Sequence, residues 1–178
     1  LELLRLKHYA QAIEMLKAAI KKYPESQVLD EANLYLGKAY YESEDYLNSY
    51  LQLRNFANRF PASNIKGQAA ILEGLSLKSL KRYQEAYDTF KSMLGPKQDR
   101  QLLARAEFEM GECLYYLGNT EEALKRLETL RSKYPDSEIL GLVLWRLASH
   151  YSLENNLDLS IRYLLDLINS RPDIALLN

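Results

Sequence analysis

A period of 37 residues runs through the chain without slippage. Gly37, Gly74 and Gly111 stand 37 apart, and the next step lands on Ala148. Ala32, Ala69 and Ala106 keep the same step and continue to Val143. Tyr9, Tyr46 and Tyr83 do likewise, continuing to Thr120 and Leu157. Two further series keep their chemistry throughout: small residues at Ala12, Ser49, Ala86, Ala123 and Ser160, and large apolar ones at Leu16, Leu53, Phe90, Leu127 and Leu164. Pro24, Pro61, Pro135 and Pro172 form a sixth series, whose missing member falls on Gln98 with Pro96 nearby. Repetition at this period means stacked supersecondary units, none of which can bury its own apolar face alone.

Within each unit the apolar spacing is helical. Ala32, Leu36, Ala39 and Tyr40 fall on one face, and Tyr46, Ser49, Tyr50, Leu53 and Phe56 on another. The recurring small residues predict close helix approach, with Gly37 facing Ser49, Gly74 facing Ala86 and Gly111 facing Ala123. Turns are expected at 43–45, at 80–82, at Gly118-Asn119 and at Asn155-Asn156, with Gly118 and Asn155 in the left-handed position that ends a helix. The prolines close each second helix, because proline cannot continue it and biases the preceding residue away from helical geometry. Ser26, Ser63 and Ser137, two residues later, are predicted to cap the following helix. Each unit is thus a hairpin of antiparallel helices. The connection at 95–100, GPKQDR, lacks the aromatic-proline ending and is expected to form a more open loop.

The chemistry available is narrow. With 23 basic and 24 acidic residues, the chain gives no reason to expect nucleic acid as a partner. No apolar run is long enough to span a bilayer, so direct membrane insertion is not expected. His8 and His150 occupy different positions in the repeat, which argues against a shared metal site. His150 shares its register with Ala39, Ser76 and Cys113, and reads as a half-buried helix residue; Cys113 reads as a buried structural thiol. The glycines stand singly on helices, so no phosphate-binding loop is present. The acidic residues read as spread over solvated faces. Neither an enzyme nor a cofactor site is predicted. Tyrosine, at 14 residues, is the compositional outlier and suits both wet helix packing and partner-binding surfaces.

The stretch EANLYLGKAYYESEDY resembles the tetratricopeptide-repeat (TPR) pattern: Leu36, Gly37, Tyr40, Ser49 and Pro61 match its places, and Leu117 to Ala123 with Pro135 repeat the later part. The usual repeat of this family is three residues shorter. The resemblance implies an all-α fold, a right-handed superhelical solenoid of antiparallel helix hairpins. The chain then divides into a truncated repeat at 1–29, holding the second helix of a hairpin, and four repeats at 30–66, 67–103, 104–140 and 141–177 in one continuous solenoid. Both ends read as uncapped, and the abrupt opening LELLRLKHY reads as part of a longer or processed chain. The longer repeat, with endings such as YPESQ, FPASN and YPDSE, is similar to a bacterial subset that includes the outer-membrane protein assembly lipoprotein and the Tol-associated periplasmic coordinator. That likeness implies a periplasmic or envelope-associated protein, a cytoplasmic location being the alternative.

In this family the first helix of each hairpin lines the concave face, and the position three before each recurring glycine points inward. Here the resemblance places Leu34, Ile71, Phe108 and Trp145 at that position. Lys38, Leu75, Glu112 and Ser149 follow one turn on, then Tyr41, Lys78, Tyr115 and Ser152. Leu34 and Ile71 fit helix packing as well as an open groove, whereas Phe108, Tyr115 and Trp145 are assigned to the groove because aromatics dominate binding hot spots. The implied ligand is a protein or peptide, as an extended apolar segment or an amphipathic helix. The function that follows is a non-catalytic scaffold or adaptor in a bacterial envelope assembly. The alternatives are a regulatory or recruiting arm of a larger enzyme or signalling protein, and a scaffold that self-associates through its open ends.

Overall fold

The computed structural model describes residues 2–95 and 99–170. Those residues form helices and turns, with no strand among them. The backbone contacts divide the chain into two compact units, residues 1–98 and 99–178. The division falls in the irregular connection GPKQDR, of which 96–98 lie outside the described residues, as does Pro172.

The first unit runs through α1 (Glu2–Arg5), α2 (Tyr9–Lys22), α3 (Leu29–Glu42), α4 (Tyr46–Leu53), α5 (Phe56–Arg59), α6 (Lys66–Ser79) and α7 (Tyr83–Ser92). The second holds α8 (Arg100–Tyr116), α9 (Thr120–Lys133), α10 (Leu140–Leu153) and α11 (Leu157–Ser170). First and second helices alternate as the period predicts: α3 pairs with α4, α6 with α7, α8 with α9 and α10 with α11.

The turn inside every hairpin has one construction. Lys7, Glu44, Lys81, Gly118 and Asn155 all take positive φ, between 56° and 84°, and they are again 37 residues apart. After each of them the next N–H reaches back to the carbonyl five residues before it, as from Arg82 to Leu77 and from Asn119 to Leu114, both 2.9 Å. This is the Schellman ending, which satisfies carbonyls the helix leaves free. Gly118 and Asn155 are the residues expected there; Glu44 and the two lysines hold the same geometry without glycine's freedom.

The turns between hairpins depend on proline. Tyr23, Phe60 and Tyr134, each followed by proline, sit at φ near −130° with ψ of 63°, 65° and 57°, outside the helical well. The serines that follow do not cap the next helix as expected. The helices start three residues further on, at Leu29, Lys66 and Leu140. Each serine Oγ instead accepts from the residue two ahead: Val28 N at 3.4 Å, Ile65 N at 3.3 Å and Ile139 N at 3.4 Å. Two of these hydroxyls also tie the turn to the preceding first helix, Ser63 donating to Asp30 at 2.6 Å and Ser137 to Gln101 at 2.7 Å.

Two elements depart from the repeat. The second helix expected across 46–56 is broken, because Arg54 is extended (ψ 136°) and Asn55 is left-handed (φ 67°), a conformation asparagine tolerates. The break still leaves Leu53 and Phe56 in the core. Conversely, α8 gains a turn at its start, capped by Asp99, whose Oδ1 accepts from Gln101 N at 2.9 Å and Leu102 N at 3.1 Å.

The recurring glycines make room for large residues. A Cβ on Gly37 would stand 2.6 Å from Leu53, and one on Gly74 2.5 Å from the Phe90 ring. On Gly111 it would meet Leu127 at 3.2 Å. The space opened by each glycine is therefore filled by the large residue sixteen positions on, rather than by the small one expected opposite. The small series is fully packed too. Ser49 and Ser76 join their hydroxyls at 2.8 Å, and Ser160 donates to the Ala148 carbonyl at 2.9 Å. Leu53, Phe90 and Leu127 have no exposed surface, whereas Leu164, opposite Ala148, is 41% exposed. Leu164 belongs to an open apolar row on α11 with Leu157, Ile161, Leu165 and Ile168.

Candidate functional site

The residues assigned to a concave face lie on the first helices α3, α6, α8 and α10, and the structure sorts them by burial. In the first unit Leu34 is core, packed with Leu53, Phe56 and Ala69. Lys38 is exposed, and Ile71, Leu75 and Lys78 are half-buried. Tyr41 is half-buried and meets the Tyr46 ring edge-on at 5.4 Å.

In the second unit Phe108 is not a groove residue. Only 6% of it is exposed, and it sits in the core with Leu127, Leu144 and Tyr163. The reason is the fit of α8 against α9 and α10, where a side chain this large fills the space between helices. Trp145, one period later, is 52% exposed. Tyr115 is half-buried, Ser149 is half-buried with its hydroxyl donating to the Trp145 carbonyl, and Ser152 is exposed.

Glu112 is buried, which corrects the expectation that acidic residues cover solvated faces; Glu109 is buried as well. Burial of a carboxylate needs a partner. Glu109 accepts from Arg105 at 2.8 Å, and Glu112 is held at two points by Arg146, whose Nε lies 2.5 Å from one carboxylate oxygen. The Arg146 guanidinium in turn lies among three rings, 5.3 Å from the centroid of Tyr115, 5.6 Å from Trp145 and 5.9 Å from Tyr116. These are cation–π distances. Burial disfavours the charge of Arg146, but the Glu112 hydrogen bond and charge outweigh it and raise its pKa, so the guanidinium stays charged. Beneath this cluster the Tyr115 hydroxyl lies 3.3 Å from His150 Nδ1, and His150 is buried between the rings of Tyr115 and Tyr151. Cys113 is buried.

The structure therefore brings Glu112, Tyr115 and Trp145 together through Arg146, and adds Tyr116, which is 50% exposed. Sequence reasoning named neither Arg146 nor Tyr116. A usable signal existed: Glu112 and Arg146 have opposite charge and stand 34 residues apart, close to one repeat, which aligns neighbouring first helices. Leu142 and Leu153 extend the exposed surface along α10, at 41% and 80% exposure. Together with Trp145 and Ser149 they follow the i, i+3, i+7, i+11 row of one helix face. Among the described residues no cluster of three or more His, Cys, Asp or Glu side chains could hold a metal. No described helix is long and apolar enough to cross a membrane.

Repeated hairpins with a small residue at each crossing, Schellman turns and proline endings define a protein of the tetratricopeptide-repeat class. Within that class the chain belongs to the outer membrane lipoprotein family YfiO, which matches residues 1–149. No curated protein matches it in sequence. Solved structures are similar in fold. MamA aligns with a TM-score of 0.72 at 17% identity over 98% of this chain and 95% of its own. The Rap protein complexed with competence and sporulation factor aligns at 0.76, with 17% identity over 96% of this chain and 51% of its own. YrrB, a TPR protein with an unusual peptide-binding site, aligns at 0.62, with 19% identity over 96% and 82%.

Proposed function

We propose that the chain is a non-catalytic scaffold whose first helices hold a segment of a partner protein within a bacterial cell-envelope assembly. The observation that carries this reading is the exposed row Leu142, Trp145 and Leu153 beside Tyr116. Large apolar and aromatic side chains left in water on one helix face mark an interaction surface. The first helices of the first unit carry Lys38, Tyr41, Ile71, Leu75 and Lys78 at the corresponding positions, a more polar set. Membership of an outer membrane lipoprotein family supports the envelope location. A bound factor in the Rap structure and a peptide-binding site in YrrB are in keeping with this use of the fold.

A photo-crosslinking amino acid placed at Trp145, and separately at Lys125 on the exposed side of α9, tests the assignment in cells of the source organism. Crosslinks to one envelope protein from position 145, and none from 125, are expected. Equal crosslinking from both positions, or a cytoplasmic protein as the sole product, would overturn it.

A further inference from the structure

We infer that the Trp145–Tyr116 surface takes a basic, apolar-flanked segment: an arginine or lysine laid on the exposed aromatic faces, with neighbouring apolar residues against Leu142 and Leu153. This rests on the scaffold reading above and adds the chemistry of the partner. Three observations carry it.

The first is that the rings already hold a cation. Arg146 lies among Tyr115, Tyr116 and Trp145, with the Tyr116 hydroxyl also bonded to it, and about half of the surface of Tyr116 and of Trp145 remains exposed to water. An aromatic face attracts cations through its quadrupole, and Trp145, exposed over half its surface, can meet a second one.

The second is charge. Arg146 is neutralised by Glu112 and Arg105 is paired with Glu109, so neither guanidinium on this face offers an unneutralised charge to an incoming anion. Residues 99–178 carry 9 basic against 13 acidic residues, whereas 1–98 carry 14 against 11. Exposed Glu154, beside Leu153 at the end of α10, adds negative charge at one end of the row. An acidic segment meets net repulsion here and a basic one net attraction.

The third is shape. Leu142 to Leu153 spans eleven residues of helix, about 16 Å, which matches roughly five residues of extended chain. A short segment with a basic residue between apolar ones covers that row.

Trp145 is the chain's single tryptophan, so its fluorescence reports on the site directly. The 178-residue protein is titrated with three capped nine-residue peptides of sequence Gly-Ser-Leu-Ser-X-Ser-Leu-Ser-Gly, in which X is arginine, citrulline or glutamate and shares one face of the extended chain with both leucines. The arginine peptide is expected to shift Trp145 emission saturably and to bind at least tenfold more tightly than the glutamate peptide, with citrulline between them. Its affinity should fall several-fold between 50 and 300 mM salt, about as expected for exposed charges. Trp145→Ala, at an exposed position, should leave the helical circular dichroism intact and abolish binding of the arginine peptide in calorimetry. If the citrulline or glutamate peptide binds as tightly as the arginine one, the basic-segment inference is wrong while the groove stands. If no peptide perturbs Trp145 at millimolar concentration, both the inference and the groove assignment fall.

Discussion

Between residues 2 and 95 neighbouring elements are joined through hydroxyl and amide donors: Ser49 with Ser76, Gln52 to Asn33 at 2.7 Å, Ser63 to Asp30. Between 99 and 170 the same joints are largely ionic: Arg146 to Glu112, Lys133 to Glu107 and Arg131 to Asp166, the last two at 2.6 Å. Tyr163 adds a hydroxyl bond to Glu128, lies stacked on Tyr151 and has its pKa raised by burial and by that carboxylate. The two kinds of joint differ in what they fix. A neutral hydrogen bond such as Ser49–Ser76 or Gln52–Asn33 contributes about 1 kcal/mol net and tolerates some drift, the Ser63 bond to the Asp30 carboxylate being charge-assisted and stronger. Of the ionic joints Arg146–Glu112 is the buried one: such a pair adds little net stability, yet stranding one partner costs about 3–5 kcal/mol, which holds both groups in one geometry. The more exposed Lys133–Glu107 and Arg131–Asp166 pairs are worth about 0–1 kcal/mol. The exposed aromatic surface lies in the unit whose side chains are fixed by charge, and Arg146 is the residue that sets its rings. One repeat architecture thus accommodates a softly joined unit and a unit with a defined surface chemistry.

The largest predicted contrast between the units concerns the glycines. In the first unit the crossing is filled to the limit, with a rigid Phe90 ring where a Cβ on Gly74 would go. Gly74→Ala forces that ring or the helix to move, an overpacking cost of about 1–3 kcal/mol that exceeds the roughly 0.5–1 kcal/mol gained from helix propensity. Gly111→Ala in the second unit meets only a flexible leucine at 3.2 Å, and the two terms nearly cancel. Thermal unfolding should show a clear loss for Gly74→Ala and a change within about 0.5 kcal/mol for Gly111→Ala. Equal losses would mean that the crossings are equally tight.

A second contrast lies at the position before each glycine. Leu36, Met110 and Leu147 are buried there, but the second repeat carries Glu73, half-buried, and burial raises its carboxyl pKa. A carboxyl with a raised folded-state pKa contributes its stability below the ordinary glutamate value, and that contribution is lost as pH rises through the folded value. The first unit should therefore gain stability on acidification from neutral pH toward the ordinary glutamate range, a dependence that Glu73→Gln removes. Glu73→Leu should raise stability at pH 7 by about 1 kcal/mol, less than the roughly 1.5–3 kcal/mol of full leucine burial because the position is half-buried. Parallel pH profiles of wild type and Glu73→Gln would show that Glu73 is solvated after all.

How much of this was legible follows from what the period encodes. Small, large and proline series report on the backbone and on crossings, so the hairpins, their order and their endings could be placed from the sequence. The Gly118 and Asn155 turns were equally readable, because those residue types favour left-handed geometry. Three things could not be read. The turns at 43–45 and 80–82 were expected, but Glu44 and Lys81, like Lys7, carry no left-handed preference, so which residue takes positive φ there was not legible from residue type. The break at Asn55 trades helical hydrogen bonds for core packing of Phe56, a balance that local propensity does not contain. At the site, Phe108 and Trp145 share a register position, one buried and one open. Which is which depends on the shape of the surrounding helices, so an aromatic at a groove position was no guide. The Glu112–Arg146 pair was signalled by opposite charges close to one repeat apart, but fixing their contact needed the offset between adjacent first helices, which the period alone leaves open.

The smallest predicted effects sharpen the turn comparison. Lys81 holds φ of 61° in the first unit where Gly118 holds 84° in the second. A left-handed conformation costs an L-residue with a Cβ roughly 1 kcal/mol, and glycine escapes that cost but loses more entropy on folding. Lys81→Gly should therefore stabilise the first unit by up to about 0.5 kcal/mol, and Gly118→Ala should destabilise the second by a similar amount, up to about 0.5 kcal/mol. Nothing surrounds the added Cβ at Gly118 within 4 Å, so the effect there reports backbone strain and chain entropy without a packing contribution. Chemical denaturation of the two variants, each against wild type, measures both. If Lys81→Gly destabilises while Gly118→Ala does not, the left-handed turn is held by side-chain contacts of the lysine, and the shared Schellman geometry does not set its energetics.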